Sequence, residues 1–293
     1  MTSTGDWAIE TQDLRKQYGD LWAVDGVTIS IARGECFAML GPNGAGKTTT
    51  TEMLEGYRVP TSGTMAVLGL DPRHGGALLK SRIGIVLQSV RDLGDLTVSE
   101  SVRHFAAYYP DSRDVDEVIS AVGLAEKRDE RNSRLSGGQR RRLDVALGLI
   151  GRPEILFLDE PTTGFDPQAR RNFWDLIDSV KAEGTTILLT THYLEEAEHL
   201  ADRVAVIDSG KVIACDTPEN LGGRQRGQAR VTWLEGGASH VEYTSAPTGF
   251  VRKLMARFDG EIPELSVERP SLEDIYLEMI KHNDEMEATR AAS

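Results

Sequence analysis

Only two cysteines occur in the 293 residues, Cys36 and Cys215, far apart in the chain. That excludes a disulfide framework and a cysteine-rich metal site, and leaves two reduced, buried thiols in a cytosolic protein as the expectation. No apolar run approaches the ~20 residues that a membrane-spanning helix needs. Met1–Glu10 also lacks the apolar core of a signal peptide. By itself, therefore, the chain has no means of carrying a solute across a bilayer. Positive charge is scarce as well: 33 Lys and Arg stand against 46 Asp and Glu, a net charge of -13. This discourages loose adhesion to nucleic acid, which depends on basic side chains neutralising phosphates, and equally discourages spreading on an anionic lipid surface. Work at a membrane would require a specific protein to dock on. There is no internal repeat and no low-complexity tract.

What is present is enough apolar side chain, 40% of residues, to build a real core. The length suits one large domain with a small one, or two modest ones. From Ile9 to Ile31 apolar residues alternate with turn residues, and Val27, Ile29 and Ile31 alternate with Thr28 and Ser30 as in a half-exposed strand. Cys36–Leu40 is an unbroken apolar run before a glycine loop, and Ile155–Leu158 and Thr186–Leu189 read the same way. Such strands are buried on both faces, and helical segments between them predict a parallel α/β sheet.

From about residue 89 to 150 a helical insertion interrupts this core. Thr97-Val98-Ser99-Glu100 is a capping box ahead of Val102, Phe105, Ala106 and Tyr109 at helical spacing. Val115, Val118, Ile119 and Val122 repeat the pattern, with Gly123 as the C-terminal cap. Composition changes near Asn220, where Gly222–Gln228 reads as a linker. Beyond it Val231–Leu234 and Val241–Tyr243 flank Gly236-Gly237 as a hairpin. Val251, Leu254, Met255 and Phe258 form one helical stripe. Leu272, Ile275, Tyr276 and Met279 form another, capped by Ser271 with Asp274 three residues on. The expected division is thus a large domain over 1–220 and a small α+β appendage over 221–293, with a polar, disordered tail from about His282.

Three short segments carry the chemistry. Gly41-Pro42-Asn43-Gly44-Ala45-Gly46-Lys47-Thr48 fits GxxxxGK[ST]. Its glycines let backbone N–H groups turn toward phosphate, and a helix starting near Lys47 aims its positive end at the same charge. Lys47 is expected to neutralise the β- and γ-phosphates, with Thr49 a further contact and the Thr48 hydroxyl on Mg²⁺. Asp159 ends a buried strand and Glu160 follows. The first is placed to reach Mg²⁺ through water, the second to orient or deprotonate the attacking water. In Leu135-Ser136-Gly137-Gly138-Gln139, Ser136 reads as a helix N-cap and the glycines permit close approach to an anion. Behind it Leu143, Ala146, Leu147 and Ile150 share one face, while Arg140, Arg141 and Arg142 make the other face basic.

With these three segments in this order, Ile9 to about Pro218 resembles the ATP-binding subunit of an ABC transporter. The resemblance implies a P-loop ATPase core, ATP and Mg²⁺ as ligands, and roles for four further residues. Tyr18 would stack on adenine. Gln88 would sense Mg²⁺ and join the core to the helical insertion. Asp166, in Thr163-Gly164-Phe165-Asp166, would lie in a loop crossing a dimer interface, with Phe165 in place of the commoner leucine. His192 would contact the γ-phosphate. It also implies a homodimer, head to tail, in which Ser136, Gly137, Gly138 and Gln139 of one copy cover the ATP in the cradle of the other. The partner so implied is a separate membrane permease at the cytoplasmic face of the cell membrane. Arg269–Tyr276 is similar to the C-terminal segment of drug-efflux exporter ATPases, which implies export. Two other readings fit less well. An ABC-type ATPase acting on DNA or ribosomes would carry two cassettes, a coiled-coil insertion or zinc-binding cysteines, and a P-loop kinase for a small molecule has no use for Leu135–Gln139.

Overall fold

Residues 7–86, 94–226, 228–258 and 260–291 are described by a computed structural model. They fall into two compact units, Met1–Ile213 and Ala214–Ser293, a division placed ahead of the composition change at Asn220.

The first unit opens on an antiparallel sheet in which β1 (Trp7–Tyr18) pairs with β2 (Leu21–Val27), β3 (Ser30–Ala32) and, from later in the chain, β5 (Ser62–Val67). The alternation of Val27, Ile29 and Ile31 is real in burial, but the strand is interrupted, because the chain crosses from one side of β1 to the other at Thr28-Ile29. The buried Thr11 hydroxyl bridges that break. It donates to the Val27 carbonyl at 3.1 Å and accepts from the Ile29 N–H at 2.9 Å, so it satisfies one backbone group on each side of the break.

The second sheet comprises β4 (Cys36–Leu40), β6 (Ile83–Val86), β7 (Ile155–Asp159), β8 (Thr186–Thr191), β9 (Arg203–Asp208) and β10 (Lys211–Asp216), in the spatial order β10-β9-β4-β8-β7-β6. The pairs β4–β8, β4–β9, β7–β8 and β6–β7 are parallel. Every residue of β4 and β8 is buried, as expected for central strands covered on both faces. Phe37, Met39, Phe157, Leu188 and Ile207 meet Ile9, Leu14, Val24, Val27 and Ile31 of the first sheet in one core. Met53 and Leu54 of helix α1 (Lys47–Leu54) complete it. Cys36 is buried, and burial pushes its thiol up to about 12. Cys215, expected to be buried too, is exposed, because β10 is the edge strand.

After the short α2 (Gly76–Lys80), the helical stretch between β6 and β7 holds α3 (Val98–Ala106), α4 (Val115–Ala121) and α5 (Gly137–Leu149). Thr97 and Glu100 form the capping box in both directions. Gly123, with φ +69°, donates to Ser120, and Leu124 donates to Ile119, which closes α4 in a left-handed C-terminal cap. Thr97→Ala is expected to cost about 1 kcal/mol, read as a lower urea midpoint at unchanged m-value. After β7 the chain continues through α6 (Pro167–Ala182), β8 and α7 (Leu194–Leu200).

In the second unit β11 (Ala229–Glu235) and β12 (Ala238–Thr244) form a hairpin through Gly236-Gly237, both with positive φ, the requirement of the turn that matches strand twist. β13 (Ser266–Glu268) adds to β11. Val231, Trp233 and Leu254 are its core, with Phe250, Val251 and Phe258 against them. Of the predicted stripe Met255 departs: it ends α8 (Pro247–Met255) and is exposed. Ser271 and Asp274 cap α9 (Leu272–Ala291) reciprocally. Disorder was the expectation from His282. Instead α9 runs to Ala291, since that stretch has no Gly or Pro and is rich in Glu, Met and Ala, which favour helix. No helix among the described residues is long and apolar enough to cross a membrane.

Candidate functional site

Three parallel strands end level with one another, and the site is built on those ends. Leu40 pairs with Thr191, and Asp159 with Thr190, so the glycine loop after β4, the acids after β7 and His192 after β8 emerge at one edge. The loop needs its glycines. Gly46 has φ +101°, and a Cβ there would sit 2.3 Å from the Ala23 carbonyl oxygen. A Cβ on Gly41 would sit 2.1 Å from that of Ile207. Strand β2 and the β9–β10 turn hold the loop from both sides, with Gly210 donating to the Ala45 carbonyl.

A cavity of about 320 Å³ lies over the loop, lined by Ala23, Asn43, Gly44, Gly46, Lys47, Thr48, Thr49 and Glu160. Lys47 is only 4% exposed, and its ammonium donates to the carbonyls of Gly41 (2.7 Å) and Pro42 (3.0 Å). Burial lowers its pKa, and the charges of Glu160 and Asp159 pull it back. The Thr48 hydroxyl stands 3.4 Å from both carboxylate oxygens of Asp159, which also accepts from the Thr190 hydroxyl. Glu160 Oε1 is 3.9 Å from Lys47 Nζ and 3.4 Å from His192 Nδ1, and Oε2 accepts from the Thr163 hydroxyl. Its backbone is left-handed, φ +44°, a strain of about 1–2 kcal/mol for a residue with a side chain. Its N–H is held by the carbonyl and the hydroxyl of Thr190, each at 3.1 Å.

Ser136, Gly137 and Gly138 do not line that cavity. They border a second groove of about 560 Å³, together with Glu160, Thr163 and Asp166. Ser136 caps α5, and Gln139 closes the capping box by accepting from the Ser136 N–H at 3.0 Å. Asp166 caps α6 through Ala169, with Pro167 in the first turn. Tyr18 ends β1, outside the lining of either space, its ring 5.1 Å from Lys16 Nζ and 5.8 Å from the Arg58 guanidinium. Gln88 lies outside the described residues.

The sequence pattern of the ABC transporter family matches residues 24–163. Nod factor export ATP-binding protein I of Rhizobium meliloti is 39% identical over 295 residues, spanning 93% of this chain and 88% of that one. Its counterpart in Ralstonia nicotianae is 44% identical over 218 residues, 73% of this chain and 68% of that one. The chain belongs to the ABC transporter family. It is an ATP-binding subunit whose activity is ATP hydrolysis coupled to transport. The probable multidrug ABC transporter ATP-binding protein YbhF of Escherichia coli is 40% identical over 74% of this chain, which spans 38% of that protein. Among solved structures, cbiO1 of Clostridium perfringens, part of the ABC transporter complex cbiONQ, superposes with TM-score 0.67 at 30% identity over 73% of this chain and 90% of that one. A dimeric ATP-binding cassette in a post-hydrolysis state, bound to ADP and Pi, superposes with TM-score 0.64 at 22% identity, 71% of this chain and 98% of that one, and shares the fold.

The donor set of this ABC ATPase fits Mg²⁺. The Thr48 hydroxyl and the Asp159 carboxylate are hard oxygen donors already within contact of each other. Among the described residues there is no cluster of three or more His, Cys, Asp or Glu that could hold a metal ion. Three charged residues of the region escaped the sequence reading. Arg141, read as part of the basic face opposite the apolar one, is buried against the acid-pair loop. It lies four residues before the buried Val145, a spacing that marks the inner face. Glu196 is fully buried in α7, four residues before Leu200, with neither carboxylate oxygen in a hydrogen bond of regular geometry. Burial raises its pKa, and the side chains of Thr191, Thr162 and Trp174 pull the other way. Glu55, just after α1, is raised to about 8 by burial and by the charges of Asp159 and Glu52.

Proposed function

We propose that this ABC ATPase hydrolyses ATP between two copies of the chain arranged head to tail, and that the closing and opening of the pair drives a separate membrane permease in an exporter. The observation that carries this reading is the separation of the two phosphate devices within one chain. Lys47 and Thr48 line one cavity, Ser136, Gly137 and Gly138 border another groove, and Glu160 stands between them, lining both. A two-fold related copy supplies to each cradle the turn that it lacks, so a symmetric pair holds two complete sites.

In this reading Lys47 holds the β- and γ-phosphates, with the N–H groups of the glycine loop and Thr49 around them. Thr48 and Asp159 would hold Mg²⁺, and Gln88 would sense it. Bound Mg²⁺ would neutralise charge on the phosphate oxygens. Glu160 orients the attacking water or takes its proton, and His192, 3.4 Å from it, reaches toward the γ-phosphate. Ser136 and the N-terminal end of α5 cap the γ-phosphate of the partner's ATP. Tyr18 stacks on adenine and Asp166 crosses the interface. Loss of the γ-phosphate removes the bridge, and the pair opens.

Export is supported by the relatives named for Nod factor export and for multidrug transport, and by Arg269–Tyr276. The cargo class is a drug, lipid or other hydrophobic compound, and the chain sits on the cytoplasmic face, held there by the permease. Ser136→Arg tests the shared site. It is expected to leave ATP binding within about threefold and to reduce turnover at least a hundredfold, because the new side chain fills the close approach that the glycines provide. Nucleotide titration beside a phosphate-release assay reads both quantities, and surviving turnover refutes the shared site. Co-purification with a multi-span membrane protein tests the partner.

A further inference from the structure

We infer that Arg141 is a positioning residue for Glu160, and that it ties the helix carrying the Ser136–Gly138 turn to the hydrolytic loop of its own chain. The inference rests on the shared-site reading above. Arg141 is 7% exposed. Its Nε donates to the Pro161 carbonyl at 3.0 Å and its Nη2 to the Asp159 carbonyl at 2.9 Å. Those carbonyls belong to the residues on either side of Glu160. The planar guanidinium spans both, which a lysine ammonium, a single point of charge, does not.

Glu160 needs such a brace. Its left-handed backbone persists only where the surroundings over-determine it. Thr190 fixes its N–H from the β8 side, and Arg141 fixes the flanking carbonyls from the α5 side. Asp144, one turn along α5 and 4.0 Å from Arg141 Nη1, steadies the guanidinium. Arg141 lies in the second turn of the helix that Ser136 caps. When the partner's ATP engages that turn, any shift of α5 is passed through a buried, charge-assisted contact to the backbone of Glu160. Hydrolysis in one site is thereby made conditional on engagement of the other.

The test is steady-state ATPase of the full chain carrying Arg141→Gln or Arg141→Lys. We expect Arg141→Gln to lower kcat about ten- to a hundredfold, the scale of a small misplacement of a catalytic group, with KM for ATP within about twofold. Arg141→Lys, which keeps the charge and reaches one carbonyl, is expected to recover part of the loss. In a Glu160→Gln background, Arg141→Gln is expected still to form the ATP-dependent dimer on size exclusion, since the brace serves Glu160 and not nucleotide binding. Unchanged kcat in Arg141→Gln overturns the proposal. So does joint loss of ATP binding, dimer and thermal stability, which would make Arg141 a structural residue only. If Glu160→Gln alone fails to dimerise, the shared site fails, while the kcat of Arg141→Gln still decides the brace.

Discussion

Lys47→Ala is expected to abolish ATP turnover, with kcat/KM reduced about a hundredfold to a thousandfold or more. Among the described residues Lys47 is the only cation lining the cavity over the glycine loop. It faces Glu160 at 3.9 Å and Asp159 beyond. Without it a polyanion would meet two carboxylates with no fixed positive charge between them, and the helix dipole of α1 alone contributes about 1 kcal/mol. The ammonium is pre-placed, held on the Gly41 and Pro42 carbonyls, so binding phosphate requires exchange of partners and no ordering of a free side chain. Because Lys47 is buried, alanine also leaves a void, and Lys47→Met separates charge from volume. Both variants should lose turnover, and Met should keep the thermal midpoint closer to the parent. Nucleotide titration with a phosphate-release assay measures the effect, and near-normal turnover in either variant refutes the assignment.

Glu160→Gln is expected to bind ATP as the parent does and to hydrolyse it about a hundredfold to ten-thousandfold more slowly, the usual range for loss of a general base. The amide keeps the size of the carboxylate and an oxygen for the Thr163 hydroxyl. It also removes one negative charge from the cavity, so affinity for ATP should not fall. In the shared-site reading the slow step then leaves ATP clasped between two copies. Size-exclusion chromatography with ATP and Mg²⁺ should show doubled mass, and EDTA should return the monomer. A persistent monomer would count against the sandwich. Retention of rapid hydrolysis would move the base elsewhere, with His192 the nearest alternative at 3.4 Å.

The local devices were legible because their physics is local. The helix begins at Lys47 behind a glycine in a left-handed conformation, and the capping boxes at Thr97 and Ser136 are fixed by residues three apart. The Gly236-Gly237 hairpin is set by the turn itself. Buried strands showed as unbroken apolar runs because both of their faces are covered. Where the reading went wrong, distant packing decided. Three successive arginines look like one basic face, yet Arg141 is turned inward by the carbonyls of Asp159 and Pro161. Glu196 looks like one more acid in the acidic start of α7 and is fully buried.

The sequence by itself determined that a phosphate cradle, an acid pair and a second glycine turn exist, since each depends on residues within one turn of helix or one strand end. Only the tertiary structure decided which of them meet. Parallel pairing in the order β4-β8-β7 brings Thr48 against Asp159, and His192 and Lys47 around Glu160. The direction of α5 leaves Ser136 facing a different groove while seating Arg141 behind Glu160. Strand order and helix direction are set by long-range burial, where contacts between distant residues overcome the entropy of bringing them together, and no short window of sequence carries that information.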